Sequence, residues 1–517
     1  MTGRVRFVAY FLFFVVAFLI KFHHFNAPPF DKHNFRQTQT LSTIEDYYEN
    51  GVNLMMPKTH YVGNPGYHVL EFPVYQAFMA GLWKVTSPGP GMVRVVNIIA
   101  GLLSALLIFL ITRRFLRVEE AILSSVFFIL SPLNMIYHRS MLIDTWAVLF
   151  MLFTLYLYLA QEPKTKGKLF LRWFLFTASI ILAALIKALY LFPFVVIFLL
   201  TFRKKPARSQ ILYWSGIVIA LILLGLWMIH AREVNSFGYF TSTQSIERHI
   251  GFKDFATLSF WMAMIFRTVT RFAPGTGMFL LLVSLVLCFY RFSDKEEVVA
   301  GTFYTLPLKS LFKILWVILL LYLLTFAAMN RIHDYYQMVL IPFMSVLLAL
   351  SCGAVLREVK QDLLRDVLAI TFVAGFAIPS YVFFMFYSAP VPKILMFRER
   401  IAPLVESSNK FVFLFYKQSP YGGSFELFPK VASMYSINKW GRYFEIKNTE
   451  QVISILKKLP ESVRQSSGEL ILYDLPPLSK EEKSDLSAMG FELFRENSYG
   501  QVFKLTGRPV VNPYPSS

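Results

Sequence analysis

The feature that most limits this chain is a succession of apolar runs, each long enough or nearly so to cross the hydrocarbon core of a bilayer. A spanning helix needs about 20 mostly apolar residues. Such runs occur at Phe7–Ile20, Val93–Ile111, Ala121–Tyr137, Thr145–Leu159, Leu171–Ile186, Leu189–Phe202, Tyr213–Ile229, Met278–Tyr290, Ile314–Ala328, Met338–Leu356 and Val367–Tyr387. They predict about 11 spans. In lipid, backbone polar groups must be satisfied within the structure that crosses it, so the runs predict helices. The composition agrees: 56% hydrophobic, 17% aromatic and only 16% charged, where soluble domains carry about 25% charged residues. Ordinary soluble domains, a disordered chain and a coiled coil are excluded.

The first run follows Arg4 and Arg6, and Lys21, Phe22, His23, His24 and Phe25 after it offer no small-residue cleavage site. It therefore reads as a retained span rather than a signal peptide. The region Phe255–Phe272 is apolar but interrupted by Arg267 and Arg271, which predicts a helix lying at the membrane surface. Cys288 and Cys352 both lie in apolar runs, so no disulfide framework is expected.

The net charge of +19, from 51 Lys and Arg against 32 Asp and Glu, would suggest nucleic acid in a soluble protein. Here the cations mark loops instead. Arg113, Arg114 and Arg117, then Lys164, Lys166 and Lys168, then Arg203, Lys204 and Lys205, then Arg291 and Lys295, then Arg357, Lys360 and Arg365 all follow even-numbered runs. Cytoplasmic loops collect Lys and Arg, so the expected location is the cytoplasmic (inner) membrane, multi-pass, with the N-terminus cytoplasmic. The other side receives a long first loop, 23–91, and the C-terminal segment. The domain reading is a transmembrane module over 1–388 and an extracytoplasmic soluble α/β domain over 389–517. In the latter, Phe411–Phe415 and Leu470–Tyr473 predict buried strands, Thr449–Leu459 a helix, and Ser479 the N-cap of another.

Polar groups gather at the ends of runs on one side. The first loop opens on Asp31, Lys32, His33, Asn34, Phe35, Arg36, Gln37, Thr38, Gln39 and Thr40, then predicts a short helix from Ile44 that stops at Gly51. It closes on Glu71, Phe72, Pro73, Val74 and Tyr75. His138, Arg139 and Asp144 precede or open the fourth run, Lys187 ends the fifth, and Arg331, His333, Asp334, Tyr335 and Tyr336 lie between the ninth and tenth. Carboxylates, cations and aromatics at one interface suit a phosphate-bearing lipid and a polar acceptor. A plainer reading of the same residues is also open. Lys187, Arg139 and Arg331 would snorkel to headgroups, Asp144 would pair with Arg139, and Tyr335 and Tyr336 would belong to an interfacial belt. His23, His24, His60 and His68 show no ligand spacing, so no zinc site is expected.

With these motifs in order, the chain resembles the GT-C membrane glycosyltransferases, in particular the bacterial protein O-mannosyltransferase and lipid A aminoarabinose transferase group. The resemblance rests on His33 to Thr40, on Glu71 to Tyr75, on Arg139 to Thr145 and on His333 to Pro342. It implies a fold of about 11 transmembrane helices with a large first outer loop and a C-terminal soluble α/β domain. It implies transfer of a sugar, with inversion, from a polyprenyl-phosphate-linked donor to an acceptor glycan, lipid or protein on the outer face. Partners are then that donor, the acceptor and membrane lipids, with no nucleic acid. The implied catalytic carboxylates are Asp31, Glu71 and Asp144. Donor phosphate falls to Lys187, Arg139, Arg331 and His333, and substrate contacts to His33, Arg36, Gln37, Gln39, Tyr335 and Tyr336. Many relatives carry Asp where this chain has Gln39 and Lys where it has Phe72. The base then rests with Asp31 or Glu71, and the phosphate with cations elsewhere. No cofactor is expected, and metal independence is favoured over ligation by Asp31, Glu71 and Asp144. A lipid-linked glycan flippase, or an O-antigen ligase or polymerase using a pyrophosphate-linked donor, are the alternatives.

Overall fold

A computed structural model describes residues 2–59, 66–161, 163–201, 207–236, 252–289, 308–405, 411–417, 440–459 and 468–506. The chain forms two compact units: residues 1–25, 91–230 and 244–388, and residues 26–90, 231–243 and 389–517. Of the residues singled out above, His60, the cluster Arg203 to Lys205, and Arg291 with Lys295 lie outside the described residues.

The first unit is helical. Five described helices are long and apolar enough to cross a membrane: Pro90–Thr112, Lys166–Ile186, Ser209–Ser236, Ile341–Glu358 and one starting at Asp362. Shorter apolar helices, Asp144–Leu159, Ala188–Phe198 and Ser310–Thr325, stand where further runs were expected. The chain is a polytopic membrane protein. The segment carrying Arg267 and Arg271 is a helix, Leu258–Arg267, that passes through one π turn at Thr268–Phe272. It meets Thr276–Leu287 at 116°. Along the first helix of that pair, Leu258, Met262, Ile265 and Phe266 are exposed while Phe260, Met264 and Arg267 are buried. Together with Thr276–Leu287 this helix is long and apolar enough to cross a membrane as a bent pair.

Helix ends in this unit are tied by charge. Arg6 of Thr2–Ile20 bonds Glu119 at 2.8 Å and Asp366 at 2.5 Å, and Arg357 pairs with Glu120. Glu120 packs so closely on the helix Ile341–Glu358 that a Cβ at Gly353 would fall 2.6 Å from its Oε1. A larger residue there would part the two helices.

The second unit is built on a five-stranded sheet: β1 Phe411–Lys417, β2 Trp440–Ile446, β3 Glu469–Tyr473, β4 Phe491–Asn497 and β5 Gly500–Leu505. The strand order is β2-β1-β3-β5-β4. β1 runs parallel to β2 and β3, and β5 antiparallel to β3 and β4. Side chains alternate across a pleated sheet, and here both faces are apolar. Phe413, Phe415, Leu470, Leu472 and Phe503 meet Val452, Ile453, Leu456 and Leu486 of helices Glu450–Lys458 and Lys480–Ala488. Val412, Leu414, Ile471 and Val502 meet Phe397, Ile401 and Leu404. Ser479 caps its helix in a reciprocal box with Glu482.

Residues 26–90 of the first loop group with 231–243 and 389–517 in one compact unit, where Phe30 and Phe35 pack against the C-terminal segment. The loop's polar stretch is helical from Asn34, in one helix to Asn50, where Gly51 with φ of 92° ends it. The hydroxyls of Thr38, Thr40, Ser42 and Thr43 accept that helix by bonding back to carbonyls of the preceding turn.

Candidate functional site

In the first unit, a layer of carboxylates, cations and tyrosines is assembled at helix ends. Asp144 opens the helix Asp144–Leu159, where the helix dipole favours a carboxylate. Lys187 follows the last residue of Lys166–Ile186 in extended backbone. Lys187 Nζ reaches Asp144 Oδ1 at 2.7 Å, and the Tyr190 hydroxyl donates to the same oxygen at 3.0 Å. The two side chains are 7% and 3% exposed, so both charges are desolvated. The ammonium also lies 4.5 Å from the Tyr335 ring and 4.7 Å from the Tyr336 ring. His333 stacks on Tyr335 with centroids 5.1 Å apart. The plainer reading paired Asp144 with Arg139, five residues away; the structure pairs it with Lys187, 43 residues away.

A second carboxylate repeats the arrangement. Asp334, 2% exposed, pairs with Arg271 and accepts the Tyr137 hydroxyl at 2.5 Å. Tyr137 lies edge-on to Tyr335 at 6.4 Å. The layer therefore runs from Arg271 through Asp334, Tyr137 and Tyr335 to Lys187, Asp144 and Tyr190. Asp334, Tyr137 and Tyr190 were not among the expected site residues. Asp334 lay inside a quoted motif, next to His333, and its position was its signal.

Two buried arginines do different work. Arg139 donates from Nε to the Lys21 carbonyl at 3.2 Å and from Nη2 to those of His23 at 2.7 Å and His24 at 3.4 Å. Arg267 donates to the carbonyls of Asn330, of Arg331 at 2.8 Å and of Ile332 at 3.4 Å. Each supplies donors to the carbonyls left over where a helix ends. The hydrogen bonds of Arg139 to these three carbonyls are those of a helix cap. Arg331 is 43% exposed and bonds Asp254 at 3.2 Å.

In the second unit, His33 adopts a left-handed conformation, φ 55°, just before the helix Asn34–Asn50. That turn brings Gln37 back onto the preceding residues. Gln37 Nε2 donates to Asp31 Oδ1 and to the Lys32 carbonyl at 2.8 Å. Asp31 is 4% exposed and Gln37 fully buried. One turn along, Arg36 bonds Gln39 at 2.7 Å and Glu71 at 2.5 Å. The segment bearing Glu71 is held by Asn235, whose side chain takes the Val69 N–H at 2.9 Å and gives to its carbonyl at 2.6 Å. That amide imitates a neighbouring strand, and nothing in the sequence around Asn235 announces it. His68 is buried beside Arg36 and Glu71. Burial and then the Arg36 charge push its imidazole down to about 4, against the opposing pull of Glu71. Among the described residues, no three His, Cys, Asp or Glu side chains gather as a metal set.

The expected residues are therefore brought together in two sets, one per unit. Asp144, Lys187, His333, Tyr335 and Tyr336 form the first. Asp31 with Gln37, and Arg36 with Gln39 and Glu71, form the second.

Comparison with known proteins bears on the fold. The profile of the dolichyl-phosphate-mannose-protein mannosyltransferase family matches residues 70–230. No curated protein sequence matches the chain. Among solved structures, ArnT from Cupriavidus metallidurans superposes with a TM-score of 0.58 at 11% identity, covering 95% of this chain and 97% of its own. The structure of that protein bound to undecaprenyl phosphate gives 0.58 at 12%. The Archaeoglobus fulgidus oligosaccharyltransferase gives 0.53 at 12%, over 93% of this chain and 71% of its own. Mycobacterial arabinofuranosyltransferase AftD gives 0.53 at 10%, over 97% and 40%. Layer of helices, first-loop helix and C-terminal sheet together, the chain has the GT-C fold of membrane glycosyltransferases.

Proposed function

We propose that this protein is a membrane glycosyltransferase that takes its sugar from a polyprenyl-phosphate-linked donor. The observation that carries the reading is the end-to-end likeness in fold to ArnT, 95% of one chain on 97% of the other, a protein also captured with undecaprenyl phosphate. The reaction is an attack by an acceptor hydroxyl on the anomeric carbon. The bond from that carbon to the phosphate oxygen breaks, the lipid phosphate leaves with the electron pair, and the configuration inverts.

Each unit has residues suited to one part of this chemistry. In the first, Lys187, His333 and Arg331 are the cations proposed to balance a lipid phosphate. Tyr335 and Tyr336 offer ring faces to the sugar, and Asp144 keeps Lys187 in place. In the second, Asp31 is the proposed base for the acceptor proton. Gln37 donates to its carboxylate and orients it, and Glu71 is held by the guanidinium of Arg36. His33, Arg36 and Gln39 complete the proposed acceptor side. No metal is assigned a step, because Lys and Arg provide the countercharge. The proposed location is the cytoplasmic membrane, with both sets of residues on its outer side and the cation-rich loops within. The acceptor class, whether glycan, lipid or protein, stays open to assay.

The test is a transfer assay on the purified protein with undecaprenyl-phosphate-linked sugars. Release of undecaprenyl phosphate with transfer to an added acceptor supports the reading. Full activity in each of Asp31→Asn, Glu71→Gln and Asp144→Asn would overturn the assignment of residues. Translocation without transfer, or release of undecaprenyl pyrophosphate, would overturn the reaction.

A further inference from the structure

Among the described residues the C-terminal segment 389–405, 411–417, 440–459 and 468–506 holds none of the site residues assigned above, yet both ends of the Asp31 segment are anchored to it. Phe30, directly before Asp31, is 2% exposed and packs on Ile394 and Val391. The Val391 N–H donates to the Phe30 carbonyl at 2.6 Å. Phe35, four residues after Asp31, packs against the cluster that joins Phe397, Ile401 and Leu404 to Val412, Leu414, Ile471 and Val502 of the sheet. Ile394 belongs to the helix Pro392–Ile401, and that helix is itself fixed to the sheet. Phe397 meets Tyr473 edge-on at 4.8 Å. Ile401 lies so close to β5 that a Cβ at Gly500 would come within 2.9 Å of its Cδ1. Asn497 donates to the Arg400 carbonyl at 2.9 Å.

We infer that the C-terminal domain is the positioning element of the first loop: through Phe30 and Phe35 it fixes where the Asp31 carboxylate and its partner Gln37 stand. Between those two anchors the chain passes through the left-handed His33, a conformation that costs energy and persists only when its surroundings impose it. The sheet and the helix Pro392–Ile401 are those surroundings. Phe30 and Phe35 act through Asp31 and are positioning residues, and the kinetic part of this inference rests on the proposed transferase reading.

Val391→Pro tests the first anchor. Val391 already has φ of −70°, which proline adopts, and the substitution removes both the N–H that holds Phe30 and the valine side chain packed on it. Phe35→Ala and the conservative Phe35→Leu test the second anchor, all in the full-length protein. Amide hydrogen exchange over 31–40 should rise about tenfold in Val391→Pro and Phe35→Ala, with β1 and β3 as protected as before. Turnover with an undecaprenyl-phosphate-linked sugar should fall about tenfold while the Kd for undecaprenyl phosphate holds, and Phe35→Leu should recover most of it. Unchanged exchange over 31–40 in both variants would overturn the inference, as would raised exchange with undiminished turnover. If the unaltered protein shows no turnover, the transferase reading fails, and the exchange result alone decides the anchoring.

Discussion

Asp144 and Asp334 in the first unit and Asp31 in the second are held by different means. In the first, Asp144 and Asp334 are each closed between a cation and a tyrosine hydroxyl, at the ends of packed helices. In the second, Asp31 is oriented by an amide, on a short stretch of irregular backbone between two aromatic anchors. A buried ion pair is expensive to break because it leaves a lone charge in a low dielectric. A carboxylate oriented by an amide can lose its charge with its shape intact. The contrast separates carboxylates whose ion pairs hold packed helix ends from the carboxylate proposed to act on the acceptor.

The largest expected effect tests that separation. Asp31→Asn should lower kcat about 10²- to 10⁴-fold and leave the melting temperature nearly unchanged. A comparable loss of stability would break the comparison. Asp144→Ala should cost about 3–5 kcal/mol of stability by stranding Lys187. Adding Lys187→Met should return part of it, as read from thermal melts in detergent. Asn235→Ala, which frees both polar groups of Val69, should cost about 1–3 kcal/mol. It should also raise amide exchange over 66–71, with the layer around Asp144 untouched.

The smallest effect is one of pH. The folded protein takes up the His68 proton only near pH 4, and the unfolded chain near about 6.5. Between those values the unfolded state binds more protons, so acid should destabilise the protein across that window and add little below it. His68→Phe should flatten this part of the profile. An unaltered slope would place the acid sensitivity elsewhere.

Helices were legible because an apolar run has few other fates, and the run ends at Asp144 and Lys187 were legible because charge stops a run. Their pairing was not. Arg139 is the near neighbour of Asp144 in sequence, but the chain brings Lys187 back 43 residues later, and local spacing cannot report such a return. The stretch Asn34–Thr40 read as loop because its residues are polar. It is helical because its hydroxyls satisfy themselves on the backbone. Strands β1 and β3 were visible as apolar runs. The hairpin of β4 and β5 was hidden by exposed polar residues on β4, where only Phe491 is buried. Asn235 had no readable signal at all, since its role depends on where residue 69 passes.

The arginine caps have a further consequence for how the protein answers its surroundings. A guanidinium stays charged under all physiological conditions, and the carbonyls gripped just after the helix Thr2–Ile20 and at the end of Ala327–Ile332 have no proton to gain or lose. These two fastenings are therefore blind to acidity. A drop in pH that loosens the segment around His68 leaves them closed, so the molecule carries one part that senses its medium and another that ignores it.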